Sequence, residues 1–236
     1  TSIRRSAQVD KRFAQQQTSA FYEIVMENSL SEKKRVRVVS LTPNVVSHDA
    51  AIAEIVSLAR QKRGAYVCFS TVHMVMESYD NPEFGAKVNG ADYIVTDGMP
   101  LVWMQKLQGA KDASRVRAND LMISLCEYAA KNNLSVGFYG GKQEVIDAIK
   151  ERANRELPDL KIVYAFSPPF RPLSEAEDAE IVAEINRANP DILFMGLGCP
   201  KQENWMSAHK DRLSTVMLGV GASFDFYAGN VRESPE

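Results

Sequence analysis

The sequence predicts an α/β fold: a Rossmann-like, mostly parallel sheet with helices on both faces, in a single core domain. Short apolar runs of strand length alternate with helical patterns of about 12 to 16 residues, which is typical of parallel sheets covered on both faces. The alternation starts at residue 36 and continues without a linker or an internal repeat. A chain of 236 residues, of which 45% are hydrophobic, suits one large domain of this kind.

Each predicted strand is an apolar run bounded by glycine, proline or polar residues. Each predicted helix has apolar residues three or four positions apart, so that one side can pack on the sheet. The strands are predicted at residues 36–41, 65–69, 92–96, 135–139, 161–166, 192–195 and 215–220. The helices are predicted at residues 47–63, 73–79, 82–88, 101–107, 119–131, 145–157 and 175–188, with one more that starts at Pro200.

Helix-start signals support several of these assignments. Ser174 and Glu177 have the spacing of a capping box, and Asn119 or Asp120 can cap the helix that follows them. Pro200 suits the first position of a helix, because its fixed φ is helical and its missing N–H would have no partner there.

The chain divides into a short extension and a core. Residues 1–35 form a polar, charge-rich extension in which 13–30 is predicted to be helical, the core spans 36–233, and 234–236 end the chain. The basic run at 33–37 is either a solvated surface or a contact with an anionic membrane.

Composition and missing motifs exclude several classes of protein. A formal net charge of −2 gives no support for a nucleic-acid partner, and three cysteines without metal-ligand spacing fit a reducing cytosol. No apolar run has the length of a membrane span, and no signal peptide is visible. The chain lacks an Asp-x-Asp pair, a Walker A loop and a complete dinucleotide fingerprint, and its three histidines are scattered. We therefore expect neither a metal nor a cofactor.

The stretch 191–202 is the strongest local signal of a ligand site. A strand-length apolar run ends in Gly196 and Gly198, and Pro200 then starts a helix. Backbone N–H groups at a helix start attract phosphates, and Lys201 and Gln202 project a cation and an amide near the same point. The alternative is that any α/β protein needs glycines at such a turn.

Other predicted strand ends carry comparable residues. In open parallel sheets, ligands bind beyond the carboxyl ends of the strands, and glycines there let a ligand approach the backbone. These ends deliver Asp97 and Gly98, then Gly140, Gly141 and Lys142, then Arg171, and finally Gly219, Gly221 and Asp225. Together they predict one rim for a phosphate-bearing ligand, whose charge backbone N–H groups and Lys or Arg would meet.

Asp97 is the best candidate for a general base, because partial burial beside Tyr93, Met99 and Trp103 would move its pKa toward neutrality. The alternative is that Asp97 caps the next helix. Asp225 lies among aromatic residues, which favours a structural hydrogen-bonding role. Arg115, Arg117 and Asp120 either bind ligand or hold loops together, and Trp103 and Trp205 are predicted to be core residues.

Five motifs in this order closely resemble the WecG/TagA/CpsF family of bacterial glycosyltransferases. They are DGMP at 97–100, RVRANDLM at 115–122, GGK at 140–142, GLGCPKQE at 196–203 and GVGASFD at 219–225. The resemblance covers about residues 36–233 and implies that this core is catalytic. Members of the family transfer a sugar from a UDP-sugar to a polyprenyl-diphosphate-linked saccharide, with inversion and without a required metal. They build cell-surface polysaccharides and exopolysaccharides at the cytoplasmic face of the membrane.

By position, the resemblance implies that Asp97 is the catalytic aspartate and Gln202 the loop glutamine. The turns at Gly140–Gly141 and Gly196–Lys201 match regions that hold the nucleotide sugar, and Lys142 or Lys201 would stabilise the leaving diphosphate. The remaining expected substrate contacts are Thr71, His73, Gly98, Met99, Arg117, Asp120, Gly198, Pro200, Gly221 and Asp225. The implied partners are a UDP-sugar, a polyprenyl-diphosphate-linked acceptor and the membrane surface, and the family also allows homo-oligomers.

The chain departs from the family pattern at Cys199, where alanine is common, at Ala118, where glycine is usual, and in two places that bear on function. The family often has a Thr-x-Asn pair where Phe69 and Thr71 stand here, so Ser70 or Thr71 is expected to replace the threonine contact. Members commonly continue into a basic, amphipathic C-terminal segment that docks on the membrane, and we expect that segment to be missing after Glu236. These departures keep open a non-catalytic nucleotide-sugar-binding module as an alternative. A nicotinamide-dependent oxidoreductase is disfavoured by the absent fingerprint.

Overall fold

The structure is a computed structural model that describes residues 34–229 of the chain. In this part of the chain, six parallel strands form one sheet in the order β2-β1-β6-β5-β3-β4. The strands are β1 (Ala65–Ser70), β2 (Tyr93–Thr96), β3 (Ser135–Gly140), β4 (Lys161–Phe166), β5 (Ile192–Gly196) and β6 (Val216–Gly219). The fold is the Rossmann-like α/β sheet that the alternating pattern predicts.

Helices connect the strands and cover both faces of the sheet. They are α1 (His48–Arg60), α2 (Val72–Asp80), α3 (Pro82–Asn89), α4 (Met99–Leu107), α5 (Ala118–Lys131), α6 (Gln143–Glu156), α7 (Glu175–Ala188), α8 (Lys201–His209) and α9 (Ser223–Tyr227). Ser47, Thr71 and Asn81 each cap a helix by accepting a hydrogen bond from a backbone N–H three residues later. The predicted capping box of Ser174 and Glu177 is also present.

The strand side chains alternate between two apolar layers. Phe138 and Phe194 stack at 5.4 Å in the layer that includes buried residues of α1, α5, α6 and α9. Tyr139 and Met195, one position further along the same strands, belong to the layer that includes residues of α2, α3, α7 and α8. Because β1, β3, β5 and β6 have helices on both faces, they are almost entirely buried.

Residues 36–41 do not form the strand predicted for them. The chain reverses direction at Val39, whose φ of 56° lies in the left-handed region, and Val38 and Leu41 pair across the turn. Asn44 then ties this segment to β2 through two hydrogen bonds of 2.9 Å with Ile94. Val36, Val38 and Leu41 are buried by packing against the domain, which is why the segment resembled a strand, whereas Val39 at the turn is 41% exposed.

Most helix starts differ from the prediction by one or two residues, which is the usual uncertainty of such boundaries. Arg117 occupies the N-cap position of α5, so neither Asn119 nor Asp120 caps this helix. Pro200 is the residue before α8 rather than its first residue.

Three further expectations concern the burial of Trp103, the two ends of the chain and membrane-spanning helices. Trp103 was predicted to be a core residue, but 57% of it is exposed. The helix predicted at 13–30, and most of the divisions proposed at 1–35 and 234–236, lie outside the described residues. Between residues 34 and 229, no helix is both long enough and apolar enough to cross a bilayer.

Candidate active site

The crevice between β3 and β5 is the point where the sheet topology favours ligand binding. The two strands are neighbours, but the helices that follow them lie on opposite faces. Ile149 of α6 packs in the layer of Phe138, whereas Met206 of α8 packs in the layer of Met195. Such a divergence leaves a crevice at the carboxyl ends of the two strands, and this is where open α/β sheets bind ligands.

Glycines form the floor of this crevice. The Gly141 N–H donates a 3.0 Å hydrogen bond to the carbonyl oxygen of Gly196, which draws the two turns together. A Cβ atom on Gly140 would lie 2.6 Å from the Gly196 backbone, and one on Gly196 would collide with the Phe224 ring. No side chain fits at either position, so the two turns stay in close contact and the backbone of Gly141 and Gly196 lines the crevice.

A cavity of about 640 Å³ opens above these turns. Its volume lies within the range of roughly 300–1,000 Å³ that is typical of small-molecule sites. Its lining comes from the ends of β3 and β5, from α6, α8 and α9, and from the loop between β4 and α7. The lining residues are Tyr139, Gly141, Lys142, Glu144, Val145, Pro168, Pro169, Phe170, Arg171, Leu173, Gly196, Leu197, Lys201, Trp205 and Asp225.

Aromatic side chains form one wall of the cavity. The Tyr139 ring lies 5.1 Å from the Trp205 ring and 6.3 Å from the Phe166 ring, measured between centroids. The Trp205 indole donates a 3.1 Å hydrogen bond to Asp178, which fixes its orientation. Trp205 was predicted to be a core residue, but it is only half-buried and lines the cavity. Tyr139 is only 1% exposed and the His209 ring stacks on Trp205 at 3.9 Å, so the exposed Phe170 ring is the aromatic surface of the cavity that a planar base can reach.

Cations stand at the mouth of the cavity. Lys142 precedes α6 and Lys201 starts α8, and both are exposed. The Lys201 ammonium lies 5.2 Å from the centre of the fully exposed Phe170 ring. The first-turn N–H groups of the two helices have no acceptor within their own helix, so the helix ends and the two lysines together favour a phosphate. Arg171 is instead paired with Glu177 through two hydrogen bonds of 2.6 and 2.9 Å.

Asp97 lies at the same edge of the sheet, directly after β2, but outside the cavity lining. Its Oδ2 accepts a 3.2 Å hydrogen bond from the Ala118 N–H, so Asp97 caps α5 and not the helix that follows it in sequence. Arg115 donates a 2.7 Å hydrogen bond to the Asp97 carbonyl oxygen, and its Nε is 3.7 Å from Oδ1. One fifth of the Asp97 side chain is exposed, so solute can reach it.

The environment of Asp97 suits a proton acceptor. Burial raises the pKa of Asp97, although the Ala118 N–H and the cations of Arg115 and Arg117 offset part of that shift. A carboxyl group whose pKa is raised in this way holds a transferred proton better than an exposed aspartate does.

The predicted site residues therefore form two groups along one edge. Gly141, Lys142, Gly196, Lys201 and Asp225 line the cavity, and Gly140, Gly198, Pro200 and Gly221 lie in the adjoining turns. The second group follows β1 and β2 and consists of Thr71, His73, Asp97, Gly98, Met99, Arg117 and Asp120. Three strand spacings separate β2 from β5, which is about 14 Å at roughly 4.8 Å per strand.

Within the second group, some side chains already have structural partners. The Thr71 hydroxyl caps α2 by accepting a hydrogen bond from the Met74 N–H, and Arg117 and Asp120 form an ion pair with a nitrogen–oxygen distance of 3.7 Å. His73 is exposed on the first turn of α2. Substrate contacts by these residues stay predictions.

Gln202 is buried between the two groups and is fully engaged within the protein. Its Oε1 accepts a 3.1 Å hydrogen bond from the Gly198 N–H. Its Nε2 donates to the Gly219 carbonyl oxygen at 2.9 Å and to Glu203 at 2.8 Å. This geometry supports a role in holding the Gly198 turn against the end of β6, and the direct ligand contact that the sequence predicts stays a prediction.

Replacing Gln202 by leucine tests this positioning role. The near-isosteric change leaves the Gly198 N–H and the Gly219 carbonyl without their partner, so we expect a loss of about 2–4 kcal/mol in the free energy of unfolding, measured by urea denaturation. Gln143→Leu on the exposed start of α6 is the matched control and should change stability by less than about 0.5 kcal/mol. Wild-type stability combined with a sharply weakened affinity for UDP would instead show that Gln202 acts on the ligand directly.

Several residues of the site were missed by sequence reasoning. Tyr139 and Phe170 line the cavity, but an aromatic residue in a strand or a loop carries no ligand signal of its own. Glu203 follows Gln202 directly and is fully buried, and burial raises the pKa of its carboxyl group. Its position in the 196–203 motif was a signal for structural importance, but its burial depends on how α8 packs.

Comparison with known proteins identifies the family of the chain. The family model described as "Glycosyl transferase WecG/TagA/CpsF family" matches residues 36–236. Proteins from Bacillus spizizenii and Bacillus subtilis are 31% and 29% identical over 176 and 177 residues, which are 74% of this chain in both cases and 66% and 67% of those proteins. A Staphylococcus aureus protein is 31% identical over 149 residues, which are 63% of this chain and 57% of that protein.

All three relatives carry the name N-acetylglucosaminyldiphosphoundecaprenol N-acetyl-beta-D-mannosaminyltransferase. The chain spans about two thirds or less of the length of these relatives. The family match covers every helix and strand that the structure describes. The chain therefore belongs to the WecG/TagA/CpsF family of glycosyl transferases.

Proposed function

We propose that the protein is an inverting glycosyltransferase that moves a sugar from a UDP-sugar to a polyprenyl-diphosphate-linked saccharide. The observation that carries this proposal is the cavity at the switch point between β3 and β5, with a reachable carboxylate on the same edge. The names of the relatives make UDP-N-acetylmannosamine the first donor to test and N-acetylglucosaminyl-diphosphoundecaprenol the first acceptor. The product would serve cell-surface polysaccharide or exopolysaccharide synthesis.

The cavity would hold the UDP part of the donor. The exposed Phe170 ring would take the base, and the diphosphate would lie between the starts of α6 and α8, beside Lys142 and Lys201. In this orientation, the donor sugar extends along the edge of the sheet toward the end of β2. The separation of about 14 Å between β5 and β2 is then bridged by the donor sugar and the acceptor saccharide together.

Asp97 would act as the general base. Its carboxylate takes the proton from the acceptor hydroxyl, while that oxygen attacks the anomeric carbon on the face opposite UDP. The bond between the anomeric carbon and the diphosphate oxygen breaks, and UDP leaves with the bonding electrons. Attack opposite the leaving group inverts the configuration of that carbon. Helix N-termini and lysines stabilise the charge that develops on the departing diphosphate.

The acceptor requires a membrane nearby. A polyprenyl tail stays in the bilayer, so the protein would work as a peripheral protein at the inner face of the cell membrane. Within the described residues, His, Cys, Asp and Glu side chains form no group of three or more that could hold a metal ion. Metal-independent transfer stays a prediction.

The test is UDP release by the full chain, with the named donor and a detergent-solubilised polyprenyl-diphosphate acceptor. We expect acceptor-dependent release that EDTA does not reduce, and NMR of the product should show the inverted linkage. Tight UDP binding without turnover on any lipid-linked acceptor would contradict the proposal and favour a non-catalytic nucleotide-sugar-binding module.

A further inference from the structure

Two neighbouring helices present apolar side chains to solvent instead of burying them. On α2, the exposed side chains are Val72, Met76 and Tyr79, at i, i+4 and i+7. On α4, they are Met99, Trp103 and Leu107, at i, i+4 and i+8, and Leu107 is 87% exposed. Helical spacing of this kind forms a stripe, and a stripe of large apolar residues facing water marks a contact surface. We call these six residues the α2–α4 face.

The two stripes belong to adjacent parts of the fold. The helices follow β1 and β2, which are paired strands, and both begin at the carboxyl edge of the sheet. A Cβ atom on Gly98, the residue before α4, would lie 3.7 Å from the backbone nitrogen of Val72, the first residue of α2. The starts of the two helices are therefore in near contact.

Exposed cations surround this face on the side of α4. Lys106 is on α4, and Lys111 and Arg115 are on the segment that follows it. Arg37 is held beside the end of α4, because the Gln108 side chain donates a 2.8 Å hydrogen bond to its carbonyl oxygen. Helix α4 carries no acidic residue. A positive rim around apolar and aromatic residues complements an anionic lipid surface, in which tryptophan and tyrosine favour the headgroup level.

The acids Glu77 and Asp80 on α2, and the exposed Asp112 beside Lys111, limit this electrostatic attraction. Apolar contact therefore has to supply most of the affinity for a membrane, and we expect binding to weaken only modestly as salt increases. The polar rim then mainly orients the protein on the bilayer.

The position of Asp97 favours a lipid surface over a second protein copy as the partner of the α2–α4 face. Asp97 lies one residue before Gly98 and thus at the end of the α2–α4 face where both helices begin. In a lipid-linked acceptor, the saccharide, the diphosphate and the polyprenyl tail follow one another, so the bilayer must lie within one headgroup of the attacking hydroxyl. The cavity for the donor lies on the far side, toward β3 and β5. A second copy of the chain on this face would stand in the path of the acceptor.

We infer that the α2–α4 face docks on the lipid bilayer and brings the acceptor's headgroup to Asp97. This inference rests on the proposed function for the identity of the acceptor. The contact itself requires only the exposed side chains and the cations beside them, and it can be measured without turnover.

The first experiment is flotation of the full chain with vesicles of phosphatidylcholine containing 30% phosphatidylglycerol. We expect binding, with a blue shift of the tryptophan emission that Trp103→Phe removes. The double variant Met76→Gln/Leu107→Gln should bind at least about tenfold more weakly, because two exposed apolar side chains no longer enter the lipid. The matched control is Val163→Gln, which changes a residue that is 40% exposed on β4, at the opposite edge of the sheet, and should leave binding unchanged.

Assays with two different acceptors test the docking surface separately from the proposed function. With a water-soluble acceptor on a short alkyl chain, the double variant should turn over like wild type, whereas with the acceptor in vesicles its rate should fall at least about tenfold. If no acceptor is turned over, the proposed function fails, and vesicle flotation still decides the docking surface.

Wild-type protein that does not float with vesicles would overturn the inference. Equal binding of wild type and the double variant would overturn it as well. Self-association that the same two substitutions abolish, in protein whose vesicle binding they do not change, would assign the face to a second copy.

Discussion

Replacing Asp97 by asparagine is expected to lower kcat for sugar transfer by about 10²- to 10⁴-fold. The amide keeps an oxygen that can accept the Ala118 N–H, so the local geometry is retained. It cannot take the proton from the acceptor hydroxyl, so only the chemical step should suffer. Steady-state kinetics with the lipid-linked acceptor measure this effect, and UDP affinity from calorimetry should stay unchanged.

The matched control for this substitution is Asp159→Asn, which removes an exposed carboxylate from the loop between α6 and β4. It should keep the wild-type rate to within about twofold, since exposed positions away from the site tolerate change. Turnover of Asp97→Asn close to that of wild type would remove Asp97 as the base and favour its helix-capping role alone.

The raised pKa of Asp97, caused first by its burial, also determines two pH dependences. Catalysis needs the ionised carboxylate, so kcat/KM should fall as pH decreases through the raised pKa, and Asp97→Asn should lose this acidic limb. The pH dependence of stability has the opposite sign. A carboxyl group with a higher pKa in the folded state favours folding when protonated, and this contribution is lost as pH rises through the folded pKa.

At neutral pH, Asp97→Asn should therefore leave the melting temperature unchanged or raise it, while it removes activity. Such a pair of effects is the signature of a residue kept for function at some cost in stability. A clear drop in melting temperature would instead indicate that the charged form of Asp97 holds α5 in place.

Replacing Gly140 by alanine is expected to reduce the free energy of unfolding by about 3 kcal/mol or more. The added Cβ would lie 2.6 Å from the Gly196 backbone, where no flexible side chain can move aside, and the φ of 119° is unfavourable for any residue with a Cβ. Because the clash separates the turns after β3 and β5, UDP affinity should fall as well. Urea denaturation and calorimetry measure the two effects.

Gly109→Ala separates the two causes of this loss. Gly109 also has a positive φ, of 89°, but a Cβ there would meet no atom within 4 Å. Gly109→Ala should reduce the free energy of unfolding by about 1–2 kcal/mol from backbone strain alone. Any larger loss in Gly140→Ala therefore measures the collision between the two turns. Equal costs at both positions would mean that the β3 and β5 turns can move apart freely, and the crevice would then not be a rigid phosphate site.

The two groups of predicted site residues lie apart along the edge of the sheet. The cavity proposed for the donor is formed where α6 and α8 diverge, and the proposed base follows β2 near the end of the sheet. Gln202 lies between them and joins the Gly198 turn to the end of β6. A structural shift at the cavity or near Asp97 can therefore be transmitted along the edge, because the turn after β5 and the end of β6 are both hydrogen-bonded to the Gln202 side-chain amide.

Local chemistry was sufficient to predict the elements and the turns. The apolar runs of β1, β3, β5 and β6 are continuous because these strands are buried on both faces, and the glycines at 140, 141, 196 and 198 mark turns that are unfavourable for a residue with a Cβ. Residues 36–41 show the limit of this reasoning, since an apolar run is also buried when it packs in a turn. Short-range patterns report burial and backbone conformation, but not the partner against which a segment packs.

The amino-acid sequence thus established the α/β class, the glycine turns and the carboxylate at 97, because each depends on residues close together in the chain. Strand order, the distance of Asp97 from the cavity, the internal engagement of Gln202 and the exposure of the α2–α4 face came from the assembled fold. Each of these depends on contacts between segments far apart in the chain. A stripe of Val72, Met76 and Tyr79 has the same spacing whether a neighbour covers it or water does, and only the packing of the whole domain distinguishes the two.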